Sequence, residues 1–209
     1  MREKKIERIR KKVALYFGTF NPLHYGHLAV AEYVIRNIEL DEFRFVLSPH
    51  NPFKSEELLL GANDRLQSLK KAIRKFNQTL AKTLSETSNT NSESKSQSKS
   101  SALKSSQCTK VIVSDIEFSL PEPRYTFNTL TELEKREKGC DFILVVGADS
   151  FAAMERWYKG VEILRKYKII IYPRKGYRVK TKATKYHALY LENAPLNIIS
   201  STQIREGKV

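Results

Sequence analysis

The chain has 209 residues, 37 Lys and Arg against 23 Asp and Glu, a net charge of +14 and 41% hydrophobic residues. That length suits one domain with a full core, and no apolar run approaches the roughly eighteen residues that a membrane span needs. Met1 to Lys12 is charged throughout and lacks the apolar centre of a signal peptide, which predicts a cytoplasmic protein; Cys108 and Cys140 supply neither a disulfide framework nor a zinc site.

The positive charge is concentrated in two places. One is the tail, residues 1–12. The other runs from Arg165 through Lys166, Lys168, Arg174, Lys175, Arg178, Lys180 and Lys182 to Lys185, with no Asp or Glu between Glu162 and Glu192. Such a surface steers phosphorylated small molecules or faces RNA, and charge alone leaves the choice open.

Val13 to Phe17 has the length and the β-branched and aromatic content of a buried strand, and Gly26 to Ile38 has helical apolar spacing. Between them lies Gly18-Thr19-Phe20-Asn21-Pro22-Leu23-His24-Tyr25-Gly26-His27, which puts two histidines at a strand-to-helix turn. A turn of this kind aims the first helical N–H groups and the positive end of the helix dipole at one point, where phosphate is stabilised. Imidazoles there add donors for developing phosphate charge.

A second strand is predicted at Glu42 to Leu47 and a helix at Asn63 to Phe76. Asn77 to Gln107 contains no aromatic residue, Gly or Pro and is dominated by Ser and Thr. It reads as a low-complexity insertion at about 77–108, with Ser85 to Ser106 too polar to offset the entropy of ordering.

Beyond it the spacing predicts a strand at Lys110 to Ser114, a helix at Thr126 to Lys138 and a strand at Asp141 to Val146. The last ends in Gly147-Ala148-Asp149-Ser150. Its small residues permit close ligand approach, and Asp149 either bonds a ribose hydroxyl or caps the next helix. Two helices are expected within Ser150 to Lys166, carrying Trp157 and Tyr158 as core aromatics or as a stacking platform for a flat ring. Strands at Lys168 to Tyr172 and Ala188 to Leu191 follow. Ile199-Ser200-Ser201-Thr202-Gln203-Ile204-Arg205 closes the series as a helix start whose hydroxyls cap the backbone or hold phosphate. This alternation predicts an α/β, doubly wound, Rossmann-like parallel sheet that binds ligands at the carboxyl ends of its strands. It makes residues 13–209 a single domain behind the basic tail.

Three of these elements carry a resemblance. The strand followed by Gly-Thr-Phe-x-Pro-x-His-x-Gly-His resembles the signature of the nucleotidyltransferase superfamily. The Gly-Ala-Asp turn with Trp157 beyond it and the Ile-Ser-Ser-Thr-x-Ile-Arg element resemble those of bacterial nicotinate-nucleotide adenylyltransferases. The resemblance implies a nucleotidyltransferase-type fold and adenylyl transfer from ATP to nicotinate mononucleotide, giving nicotinate adenine dinucleotide and pyrophosphate in NAD biosynthesis. It implies His24 and His27 at the reacting phosphates and Gly18, Thr19, Phe20, Gly26, Gly147, Asp149, Ile199, Ser201, Thr202 and Arg205 around ATP. Lys54, Thr126, Trp157 and Tyr158 would surround the mononucleotide, and Mg²⁺ would ride on substrate phosphates rather than in a protein cage.

There are departures. Asn51-Pro52-Phe53-Lys54 has Phe53 in place of the family's histidine, Arg124 stands where the family has serine before Tyr125-Thr126, and the chain ends soon after Arg205. Asp64-Arg65 matches a family helix and reads as structural. ATP and nicotinate mononucleotide are the expected partners, without membrane or nucleic acid and with oligomeric state unassigned. Two rival readings stand beside this one: transfer to another phosphorylated acceptor such as phosphopantetheine, and a non-catalytic nucleotide- or RNA-binding relative.

Overall fold

The computed structural model describes residues 10–49, 61–89 and 109–196. Lys54, Ile199, Ser201, Thr202 and Arg205 lie outside the described residues. The strands are β1 (Lys11–Gly18), β2 (Glu42–Leu47), β3 (Lys110–Ser114), β4 (Cys140–Gly147), β5 (Lys168–Tyr172) and β6 (Leu189–Tyr190). The helices are α1 (Tyr25–Asn37), α2 (Ala62–Asn89), α3 (Thr126–Arg136), α4 (Ala148–Ala153), α5 (Gly160–Lys166) and α6 (Lys180–Lys185).

The strands form one parallel sheet in the order β3-β2-β1-β4-β5-β6. From β1 the chain winds outward to β2 and β3, then returns to the other side of β1 for β4, β5 and β6. The direction of winding reverses between β1 and β4, which are paired with Tyr16 opposite Val145. In sheets of this class that reversal opens a crevice at the carboxyl ends of the two strands.

Both faces of the sheet are covered, which is why its strands read as unbroken apolar runs. Ala14, Tyr16, Phe43, Phe45, Ile143 and Val145 point to one face and pack with Val30, Ala31 and Val34 of α1 and Leu66, Leu69, Ile73 and Leu80 of α2. Val13, Leu15, Leu144, Val146, Ile169 and Ile171 point to the other, against Leu130 and Leu133 of α3, Phe151 of α4, Ile163 and Leu164 of α5 and Ala183 of α6.

The doubly wound expectation holds, with differences at the edges. α2 does not stop at Phe76 but continues to Asn89, into the stretch read as an insertion. The reason is visible in its spacing: Leu66, Leu69, Ile73, Phe76 and Leu80 keep one apolar stripe on the core, and Asn77 Nδ2 donates to the Val111 carbonyl at 2.9 Å. Composition averaged over 77–107 hid the buried Leu80. α6 was not anticipated, because of its six residues only Ala183 is apolar.

Candidate active site

β1 ends at Gly18, and a Cβ there would fall 2.9 Å from Cζ of Phe20. Phe20 itself has φ 43°, a conformation unfavourable for a bulky residue unless its surroundings hold it. Its ring is held by Phe45 at 5.4 Å, Tyr16 at 5.8 Å and His27 at 5.1 Å between centroids. Gly18 and Phe20 thus work together: the turn folds back on the strand end because glycine leaves room for the ring.

His24 is the N-cap of α1, with φ −137° and ψ 169°. The His27 N–H donates to the His24 carbonyl at 2.9 Å, and the His24 N–H donates to His27 Nδ1 at 3.3 Å. An accepting Nδ1 places the proton of neutral His27 on Nε2. The two imidazoles lie 3.8 Å apart between centroids with an angle of 34° between planes. The first turn of α1 holds no acidic side chain, so the positive end of its dipole is left to attract an anion. His24 is 9% exposed, and its buried Nδ1 lacks a hydrogen-bond partner. Burial, reinforced by the positive charge of Arg174, pushes its pKa down to about 4, so at neutral pH it is an uncharged donor and acceptor.

Across the crevice, β4 ends at Gly147 and α4 begins. A Cβ on Gly147 would lie 2.3 Å from Asp149 Oδ1 and 3.3 Å from Arg174 Nε. Arg174, two residues beyond β5, approaches Asp149 with Nε 3.9 Å from Oδ1. A cavity of about 130 Å³ opens here, lined by Tyr16, Phe17, Thr126, Gly147, Asp149, Ser150, Trp157 and Arg174 among others. Thr126 is the first residue of α3, where backbone N–H groups have no intrahelical acceptor.

Of the residues singled out from the sequence, Thr126, Gly147, Asp149 and Trp157 share this cavity. Gly18, Thr19, Phe20, His24, Gly26 and His27 form the neighbouring turn. Tyr158 is placed differently: it is 47% exposed, outside the cavity lining, and stacks on Tyr125 at 4.7 Å with planes 24° apart. Arg124 is engaged with the Glu122 carboxylate at 2.5 Å and with the Leu120 carbonyl at 3.1 Å. The sequence reading missed Arg174 by counting it among the basic run. The signal was its place just past a strand's carboxyl end, the same kind of position that drew attention to Asp149.

The histidine pair at the strand-to-helix turn faces the Gly-Ala-Asp turn across the reversal point of the parallel sheet, the arrangement that the resemblance to nucleotidyltransferases leads one to expect. The sequence profile of the cytidylyltransferase-like family matches residues 15–207. Curated relatives narrow the class. One from Flavobacterium psychrophilum, named "Probable nicotinate-nucleotide adenylyltransferase", is 32% identical over 94% of this chain and 86% of its own length. Another of the same name from Porphyromonas gingivalis is 35% identical over 93% and 84%. The fold is similar to that of the Plasmodium falciparum nicotinic acid mononucleotide adenylyltransferase complexed with NaAD, with TM-score 0.63 and 19% identity over 94% of this chain and 83% of that one. The chain belongs to the nicotinate-nucleotide adenylyltransferase family.

Proposed function

We propose that the chain transfers the adenylyl group of ATP to nicotinate mononucleotide, releasing pyrophosphate. The observation that carries this reading is the uncharged His24, its buried Nδ1 without a hydrogen-bond partner, beside His27 at the α1 N-terminus and near Arg174 of the cavity that Gly147 and Asp149 line. A phosphate oxygen of the mononucleotide attacks the α-phosphorus of ATP in line. The new P–O bond forms as the bond to the bridging α–β oxygen breaks, and that electron pair leaves on pyrophosphate. No protein nucleophile is needed; position and electrostatic stabilisation do the work.

In this reading His24 and His27 donate hydrogen bonds to the transferring and departing phosphate oxygens. Gly18, Thr19, Phe20 and Gly26 shape the turn that receives them. Arg174 adds positive charge, and Asp149 accepts from a ribose hydroxyl. Thr126 offers its backbone N–H at the start of α3 to the nicotinate carboxylate while Trp157 covers the ring. Tyr158 acts through its stack on Tyr125, and Lys54, Ile199, Ser201, Thr202 and Arg205 keep the roles that the family resemblance implies. Among the described residues no three His, Cys, Asp or Glu side chains converge as a metal cage. That donor set suits Mg²⁺ carried by ATP phosphates and water, an ion that would neutralise the charge of the departing pyrophosphate.

The test is pyrophosphate release from Mg-ATP with nicotinate mononucleotide, nicotinamide mononucleotide and phosphopantetheine in parallel. Release with the first and at least tenfold less with the others is expected. Preference for either alternative acceptor overturns the substrate assignment, and silence with all three overturns the enzymatic one.

A further inference from the structure

Arg65 lies in the first turn of α2, apart from the catalytic turn in sequence, yet it is 2% exposed and reaches the backbone of two site loops at once. Its Nη1 donates to the Thr19 carbonyl at 2.8 Å and to the Ser48 carbonyl at 3.0 Å, and its Nη2 donates to the Pro49 carbonyl. Thr19 follows the end of β1, and Ser48 and Pro49 follow the end of β2. The Ser48 N–H in turn donates to the Gly18 carbonyl at 2.9 Å, so the two exits are stitched to each other as well as to Arg65.

We propose that Arg65 is a positioning residue that locks the phosphate turn to the loop leaving β2, and so fixes the direction of the Phe20 N–H. The carbonyl and N–H of a trans peptide point opposite ways. Pinning the Thr19 oxygen on Arg65 therefore holds the Phe20 N–H on the side away from α2. Release of that carbonyl would let the peptide rotate and present an oxygen, rather than a donor, to a phosphate. The residue between is Phe20 in its left-handed conformation, which an unpinned chain would abandon. Serving three carbonyls from two nitrogens requires the planar fork of arginine; the single ammonium of lysine lacks the geometry. The kinetic consequence of this lock rests on the proposed adenylyl transfer.

The test compares the wild-type chain with Arg65→Lys and Arg65→Gln by two readouts. Hydrogen exchange by mass spectrometry, which needs no activity, should show peptides covering 18–20 and 46–49 exchanging at least tenfold faster in Arg65→Lys, while β4 and β5 keep wild-type protection. Steady-state kinetics with ATP and mononucleotide varied separately should show kcat lowered at least tenfold in Arg65→Lys with each KM changed less than threefold, in protein that melts within a few degrees of wild type. Unchanged exchange in both segments of Arg65→Lys overturns the proposal, as does wild-type kcat. Activity lost only in proportion to the unfolded fraction would make Arg65 structural and overturn it too. A silent wild type with altered exchange in the variants would refute the adenylyl-transfer reading and leave the locking role standing.

Discussion

His24 illustrates how a single residue's chemistry follows from where the helix starts. As an N-cap it is drawn into the turn and desolvated, and Arg174 adds like charge, so its pKa falls to about 4. Neutral imidazole suits a donor that must not form a permanent ion pair with free phosphate. Titration by NMR should place His24 near 4 in the free protein, with no inflection near 6.5, and a bound triphosphate should raise that value by favouring the protonated ring. His24→Ala should lower kcat about 10²–10³-fold, the usual cost of one donor to developing charge, with little change in melting temperature.

Glu117 is another residue whose burial dominates. It is 1% exposed in the 3₁₀ turn Ile116–Ser119, and Thr129 Oγ1 donates to it at 2.9 Å. Burial pushes its pKa up to about 7, against the opposing pull of Ser48, Thr129 and Arg124. The sign follows from linkage. Below about pH 4.5 both folded and unfolded carboxyls are protonated and there is no penalty; between 4.5 and 7 only the unfolded one ionises, so stability falls as pH rises. Glu117→Gln keeps an acceptor for Thr129 and removes the buried charge. At pH 8 it should be more stable than wild type by about 2–3 kcal/mol, and by little at pH 4.5, as denaturant titration at the two pH values would show.

At the scale of elements, the amino end of the sheet is tied by charge while the carboxyl end is left for ligands. Lys11 of β1 contacts Glu42 of β2 at 2.5 Å, Arg44 pairs with Glu42, and Arg44 holds Glu137 at the end of α3 through two bonds of 2.6 and 2.7 Å. Arg44 and Glu42 are buried, so the group links β1, β2 and α3 around a pair that water reaches poorly. Arg44 holds the Glu137 carboxyl below its ordinary range. A depressed carboxylate stabilises above its unfolded pKa and loses that contribution as pH falls through the folded value. Glu137→Gln should therefore cost about 2 kcal/mol at pH 7. The deficit relative to wild type should shrink in acid below pH 4.5, as thermal melts across pH would show.

Over the whole molecule, a net charge of +14 on 209 residues would attract the two anionic substrates of the proposed transfer. Long-range attraction of this kind raises encounter rates and is screened by salt. If transfer proceeds as proposed, kcat/KM for ATP should fall several-fold between about 20 and 200 mM NaCl, with kcat much less affected; a salt-independent kcat/KM would detach the charge from catalysis. Among the described residues no helix is long and apolar enough to cross a membrane.

Local order determined much of this protein in advance. The apolar runs at β1, β2, β4 and β5, the glycine and two histidines at the first turn, and the Gly147-Ala148-Asp149 turn were legible because strand period, turn chemistry and helix starts depend on neighbours in sequence. What tertiary structure alone decided involves residues distant in the chain: Arg174 beside Asp149, Arg65 on the Thr19 and Ser48 carbonyls, Glu117 sealed under α3, and Leu80 extending α2 along the core. Burial, desolvation and backbone hydrogen bonding across strands have no period to read. They arise when the sheet brings the ends of β1, β2, β4 and β5 together, and that convergence makes a turn with two histidines into a site.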